Sequence, residues 1–258
     1  GDAATLLGAW FKVPVTITLR GTEVPLSRLP RRRARMLLAL SKAARIFSVA
    51  QALKNHVTAL GVADHKIKVI GNGVDLETFK PLPKAQCRAQ LGIPMEATVL
   101  ISVGGLVERK GFHRVIEILP LLRARWPNLL YLIVGGASAS KQRYLNKLHY
   151  RISTLGLDED IGFTGQRDDL KNILAISNLV LSLSTQPESF GRTTLEALRL
   201  GVPTAGYDHG GVGEILRTIY PAGLLPLGRI DGACQRIAQL LQQPDPVPAG
   251  AFFPLQAM

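Results

Sequence analysis

The chain has 258 residues, 47% of them hydrophobic and spread without low-complexity tracts, enough for one large folded domain or two small ones and too apolar for intrinsic disorder. No apolar run approaches the roughly 18 residues of a membrane span. The best candidate, Leu129 to Val134, is only strand-length, and the N-terminus lacks the charged-then-apolar pattern of a signal peptide. The two cysteines, Cys87 and Cys234, lie far apart and outside any metal-ligand spacing, which suits buried or idle thiols in a reducing cytoplasm.

The net charge of +12 is concentrated at one end: residues 1–70 carry 12 Lys/Arg against 3 Asp/Glu. The densest cluster is Arg28, Arg31, Arg32, Arg33 and Arg35, with Lys42 and Arg45 beyond it. Such a cluster can dock on an anionic lipid leaflet at about 1 kcal/mol per basic side chain, can bind nucleic acid, or can simply be a solvated face. Aromatic residues that would stack on bases are not interleaved with it, so a membrane surface ranks first and no nucleic-acid partner is expected.

In chain order, Val15–Leu19 reads as a strand closed by Gly21, Arg31–Leu40 as a helix, Arg45–Val49 as a strand, and Ala50–Leu60 as a helix stopped by Gly61. Lys66–Ile70 alternates as a strand into the turn Gly71-Asn72-Gly73. The proline-marked stretch after Lys80 then divides two composition zones. Domains are accordingly expected over 1–80 and 98–258, with 81–97 as linker.

The second zone begins with strand Thr98–Val103, followed by a helix from Phe112 in which Val115, Ile116 and Leu119 keep helical spacing. Pro120 there predicts a kink or an early end, because an interior proline costs about 3 kcal/mol. Strand Leu129–Val134, helix Lys141–Leu155, strand Ile161–Thr164, helix Arg167–Ala175, strand Asn178–Leu183 and helix Thr193–Leu200 follow. Strand Thr204–Tyr207, helix Val212–Arg217 and a last helix begun by Asp231 complete the zone. Strands alternating with helices predict an α/β protein with doubly wound parallel sheets, whose ligands bind beyond the C-terminal strand ends.

The loops at those ends are the informative ones. After Leu183 the chain runs through Glu188, Phe190, Gly191, Arg192 and Thr193 into a helix that carries Glu196. Two carboxylates can meet hydroxyl groups there, while the free N–H groups of a helix start favour an anion. The bland alternative makes Glu196 a partner of the helix dipole and Glu188 an ordinary loop acid. After Val103 comes Gly104-Gly105-Leu-Val-Glu-Arg109-Lys110-Gly111, where glycines permit close approach and cations sit at a helix start, an unfavourable place unless an anion binds. Its spacing excludes a P-loop and a GxGxxG dinucleotide fingerprint. A third segment, His209-Gly-Gly-Val-Gly-Glu214, repeats the arrangement of glycines before a helix.

Glu188-Ser-Phe-Gly-Arg-Thr-Thr-Leu-Glu196, followed by Gly201-Val-Pro203, resembles the E-x7-E signature of family 4 (group 1) retaining glycosyltransferases. Gly210-Gly-Val-Gly-Glu214, Gly71-Asn-Gly-Val-Asp75 and Ser102-Val-Gly-Gly-Leu with Lys110-Gly111 match further blocks of that family in order, so the resemblance spans about residues 13–245. It implies a GT-B fold, two Rossmann-like domains of which the N-terminal one is truncated. The implied reaction moves a sugar from a nucleoside diphosphate donor to a saccharide or lipid-linked acceptor hydroxyl, with retention and without a metal. In that resemblance Lys110 meets the diphosphate, Glu188 the donor sugar with the Phe190 and Gly191 amides beside it, and Glu196 the ribose. Gln166 and Leu170 fall in the base-binding loop, and Gly104, Gly105, Arg109, Arg192 and Thr193 complete the donor set. Lys110 and Glu188 are the expected catalytic pair.

Two positions depart from the family. Gly105 stands where many members carry Arg, and Arg20 where many carry His. The strand and glycine loop that open the family's first domain do not precede Val13, so the sequence reads as a fragment. A sugar-nucleotide epimerase of the same architecture and a non-catalytic binding module remain alternatives. The cysteine usage is that of a cytoplasmic protein, the polybasic end adds the expectation of docking at the inner face of the membrane, and the resemblance implies a part in polysaccharide synthesis.

Overall fold

In the computed structural model, residues 1–136 and 142–248 are described, and they divide into two compact units. Among the described residues, the first comprises Gly1–Gly73 together with Glu188–Gly191, and the second comprises Val74–Pro187 and residues 192–248.

The first unit holds a parallel three-stranded sheet in the order β1 (Thr16–Leu19), β2 (Arg45–Ser48), β3 (Ile67–Val69). Helices α1 (Asp2–Phe11), α2 (Glu23–Ser27), α3 (Pro30–Lys42) and α4 (Gln51–Ala59) connect and cover it. Leu19, Leu40, Ile46, Leu53, Val57 and Ile67 form its buried interior. Pro30 at the first turn of α3 loses no ladder bond, because that N–H has no intrahelical partner anyway.

The second unit holds six parallel strands in the order β6-β5-β4-β7-β8-β9: β4 (Thr98–Val103), β5 (Leu129–Val134), β6 (Ile161–Gly165), β7 (Leu179–Ser182), β8 (Thr204–Tyr207) and β9 (Leu224–Leu225). Its helices are α5 (Lys84–Gln90), α6 (Phe112–Arg123), α7 (Gln142–Thr154), α8 (Leu170–Ala175), α9 (Arg192–Arg199), α10 (Gly210–Ile219) and α11 (Ile230–Gln242). Strands β4 and β5 are buried nearly throughout, as a parallel sheet covered on both faces requires. The chain builds outward from β4 through β5 to β6, then returns to the other side of β4 with β7. The topological switch therefore lies between β4 and β7, the position where such sheets bind ligands.

The expected α/β class with doubly wound parallel sheets is the one found, with several corrections. Residues 81–97, read as a linker, belong to the second unit and contain α5, whose Cys87 and Arg88 are buried. Helices α1 and α2 and strand β9 were not read from the sequence. Pro120 does not end α6, which continues to Arg123; Ile118, Leu119 and Leu122 are each at most 1% exposed, so packing outweighs the lost bond. Helix α10 starts at Gly210, two residues early, taking two glycines of the third segment into its first turn. Asp231 lies within the first turn of α11 rather than capping it. The start of the helix expected at Lys141 lies outside the described residues.

Candidate functional site

The loops beyond the C-terminal ends of β4, β5 and β6 are joined backbone to backbone. The Gly104 amide donates to the Val134 carbonyl (2.9 Å), the Gly135 amide to the Gly165 carbonyl (2.9 Å) and the Leu106 amide to the Gly136 carbonyl (3.2 Å). Such approach needs glycine: Gly135 has φ +144°, and a Cβ there would stand 2.0 Å from the Gly104 oxygen.

Lys110 ends a short 3-10 helix, Glu108–Lys110, and Gly111 follows it at φ +73°. The half-buried Lys110 side chain folds over Gly104, whose missing Cβ would be 2.9 Å from the Lys110 Cε. Across the switch, the Thr185 amide donates to the Arg109 carbonyl (2.8 Å). A Cβ on Gly111 would overlap the Leu183 carbonyl oxygen. The loops after β4 and β7 thus meet directly, as their strand order demands. Arg109 itself points no buried charge inward; its side chain is exposed, as is Gly105.

Helix α9 brings Arg192 and Thr193 to its first turn and places Glu196 one turn along, 8% exposed. Burial pushes the Glu196 carboxyl above the ordinary carboxylate range, partly opposed by the Arg192 charge. Glu188, Phe190 and Gly191 group by contact with the first unit; Gly191 has φ +89°, and a Cβ on Gly71 would meet the Phe190 ring at 3.3 Å. Gln166 is exposed just after β6, while Leu170 opens α8 and packs partly against the core of the second unit. Those two residues stand two strands away from β4.

A contact not legible in the sequence ties in the third segment: the His209 Nε2 lies 2.9 Å from the Ser184 carbonyl oxygen. Three other histidines have structural contacts, His56 beside Ser27 (3.0 Å), His113 bonded to the Tyr144 hydroxyl (3.0 Å) and His149 against the Phe163 ring, while His65 is exposed and accepts from Arg45 through its backbone carbonyl. A cavity of about 600 Å³ lined by His113, Glu117, Tyr144, Lys147 and Arg151 includes neither Lys110 nor Glu196, so backbone chemistry rather than cavity size marks the site. Among the described residues, no group of three or more His, Cys, Asp or Glu side chains could hold a metal ion, and no helix is long and apolar enough to cross a membrane.

Comparison with known proteins agrees with this arrangement. The family described as Glycosyl transferases group 1 matches residues 83–248, and Glycosyltransferase Family 4 matches residues 2–78. The chain belongs to the group 1 glycosyltransferases. This group 1 chain is 33% identical over 160 residues to mannosylfructose-phosphate synthase of Agrobacterium fabrum, an alignment covering 59% of the chain and 35% of that relative. It is 24% identical over 232 residues to N-acetyl-alpha-D-glucosaminyl L-malate synthase of Bacillus anthracis, covering 90% and 59% respectively. Among solved structures it resembles Anabaena HepE, crystallised with UDP and glucose, with a TM-score of 0.84 and 26% identity over 93% of this chain and 65% of that one. The chain therefore spans from about a third to about two thirds of the length of the relatives it matches.

Proposed function

We propose that the protein to which this chain belongs transfers a sugar from a nucleoside diphosphate donor to an acceptor hydroxyl, with retention at the anomeric carbon. The observation that carries this reading is the junction of the β4 and β7 loops at the switch point, where the Arg109 carbonyl accepts from the Thr185 amide and Lys110 lies over Gly104. That junction presents a cation and glycine backbone at the position where doubly wound sheets bind ligands. HepE, whose fold the chain shares, was crystallised with UDP and with UDP-glucose, which supports a nucleotide sugar as donor.

In this reading Lys110 and the N-terminal amides of α9 neutralise charge that builds on the departing diphosphate. Gly104, Gly105, Arg109, Arg192 and Thr193 complete the phosphate-facing surface, and Glu196 accepts from the ribose hydroxyls. Gln166 and Leu170 border the base, and Glu188, with the Phe190 and Gly191 amides, meets the donor sugar. The leaving phosphate takes the acceptor proton, so no protein nucleophile and no metal enter the proposed step.

Calorimetry with UDP, GDP and ADP is the first test, and failure of all three to bind would remove the donor reading. Lys110→Ala should lower transfer about 10²-fold, the scale of losing one preorganised donor. Unchanged transfer would take Lys110 out of the mechanism.

An anionic membrane surface as the place of action is also proposed. Arg28, Arg31, Arg32 and Arg33 are all exposed, and Arg35 keeps 75% of its side chain exposed although it pairs with Asp2 at 2.7 Å. Flotation with anionic liposomes tests it; protein that stays in the aqueous fraction at low salt would count against docking.

A further inference from the structure

One peptide group of the β7 loop is held at both ends. Its carbonyl, on Ser184, lies 2.9 Å from the His209 Nε2. Its N–H, on Thr185, donates to the Arg109 carbonyl at 2.8 Å. A carbonyl oxygen only accepts, so Nε2 must carry the proton. His209 is itself placed by its position before α10, where the Gly213 amide donates to its carbonyl (3.1 Å).

We propose that His209 is a positioning residue for the donor loops: by donating to the Ser184 carbonyl it fixes the 184–185 peptide, and through the Arg109 carbonyl it sets where Lys110 stands. This rests on the donor-binding reading of those loops. Without the His209 bond, the peptide loses this anchor on the Ser184 carbonyl and its plane can tilt about the flanking dihedrals against the remaining Thr185 tether. The Thr185 N–H then bonds the Arg109 carbonyl less firmly, and the residue next to Lys110 is left to the long Thr185 hydroxyl contact on the same oxygen (3.4 Å). The neutral Nε2–H ring and the imidazolium both donate from this nitrogen, so the clamp works in either charge state.

The side chains of Gln and Asn separate the clamp from bulk and polarity. Counting bonds from Cβ, the Gln Nε2 lies as far out as the His Nε2, whereas the Asn Nδ2 matches the His Nδ1. Amide hydrogen exchange of Thr185 in the 258-residue chain is the ligand-free readout. His209→Ala and His209→Asn should speed it about ten-fold, the loss of one net hydrogen bond, and His209→Gln should restore protection. UDP affinity should fall with the first two variants and recover with the third. The proposal is overturned if Thr185 exchange is unchanged in His209→Ala and His209→Asn, or if His209→Gln behaves like them. Should the wild-type chain bind no nucleoside diphosphate, the donor reading fails while the exchange comparison still decides whether the clamp exists.

Discussion

Arg88 and Asn178 share one oxygen with the sheet: the Asn178 Oδ1 accepts from the Arg88 Nη2 and from the Val99 amide, each at 2.9 Å. Arg88 is 1% exposed and spends its other donors on the carbonyls of Ile176, Pro94 and Met95. A buried guanidinium thus stitches α5 to the starts of β4 and β7, with no carboxylate bonded to it among the described residues; burial lowers its pKa, and the Glu96 charge partly offsets that. Arg88→Met should leave these carbonyls unpaired in the interior and destabilise the protein by about 3–5 kcal/mol, the scale for breaking a buried charged network. At about 2–4 °C per kcal/mol for a chain of this size, calorimetry should show a fall near 10 °C. A loss under about 1 kcal/mol would mean that water replaces the guanidinium without cost.

Lys84, one turn before Arg88, gives a pH-dependent prediction. Burial, with a smaller contribution from the Arg88 charge, pulls its ammonium down to about 8, although it bonds the Ser177 carbonyl at 2.9 Å. Below that pH both folded and unfolded chains hold the proton, and the full cost of the buried charge is present. As pH climbs from about 8 toward the ordinary lysine range the unfolded chain binds more protons, so wild-type stability rises relative to Lys84→Met. Thermal melts of both proteins from pH 7 to pH 10 should show the difference moving in the wild type's favour. A constant difference would mean that Lys84 is solvated in the fold.

The same segment shows where sequence reading stopped. Runs such as Thr98–Val103 and Leu129–Val134 were legible because their apolar residues are continuous, and strand order then located the switch. The sequence of α5, with two basic residues and a cysteine, has no apolar stripe, and an arginine normally signals surface; nothing local says that three backbone carbonyls and the Asn178 side-chain oxygen await it. Helix α1 also escaped, because Leu6, Leu7, Trp10 and Phe11 face outward while Thr5 and Gly8 pack inward. At the site, the glycines announced close approach. The partner of each was not readable, since the His209–Ser184 bond spans 25 residues and follows no spacing rule.

Two glycines with similar backbone angles should respond very differently to alanine. Gly92 has φ +66° with nothing within 4 Å of its missing Cβ, while Gly111 has φ +73° and would place its Cβ 1.7 Å from the Leu183 oxygen. Gly92→Ala should cost only the left-handed strain, about 1–2 kcal/mol. Gly111→Ala adds a backbone overlap that can be relieved only by parting the β4 and β7 loops. It should therefore cost at least about twice as much, and it should weaken nucleoside diphosphate binding. Equal melting shifts for the two variants would show that the loops part freely.

Glu196→Gln should move stability and binding in opposite directions. Because burial raises the folded carboxyl's pKa, the carboxylate form costs stability that appears as pH rises through the ordinary carboxylate range to the raised value. A neutral amide escapes that cost, so at pH 7 the variant should melt at or above the wild-type temperature. In the proposed site, however, a carboxylate accepts from both ribose hydroxyls, whereas an amide offers one acceptor oxygen. Losing a hydrogen bond to a charged group removes about 1.5–3 kcal/mol, so calorimetry should find UDP binding about 10- to 100-fold weaker. The wild type should lose UDP affinity as pH falls into the raised carboxyl's range, and the variant should not. A variant that melts lower and binds UDP equally well would show that Glu196 is a structural acid, with another group holding the ribose.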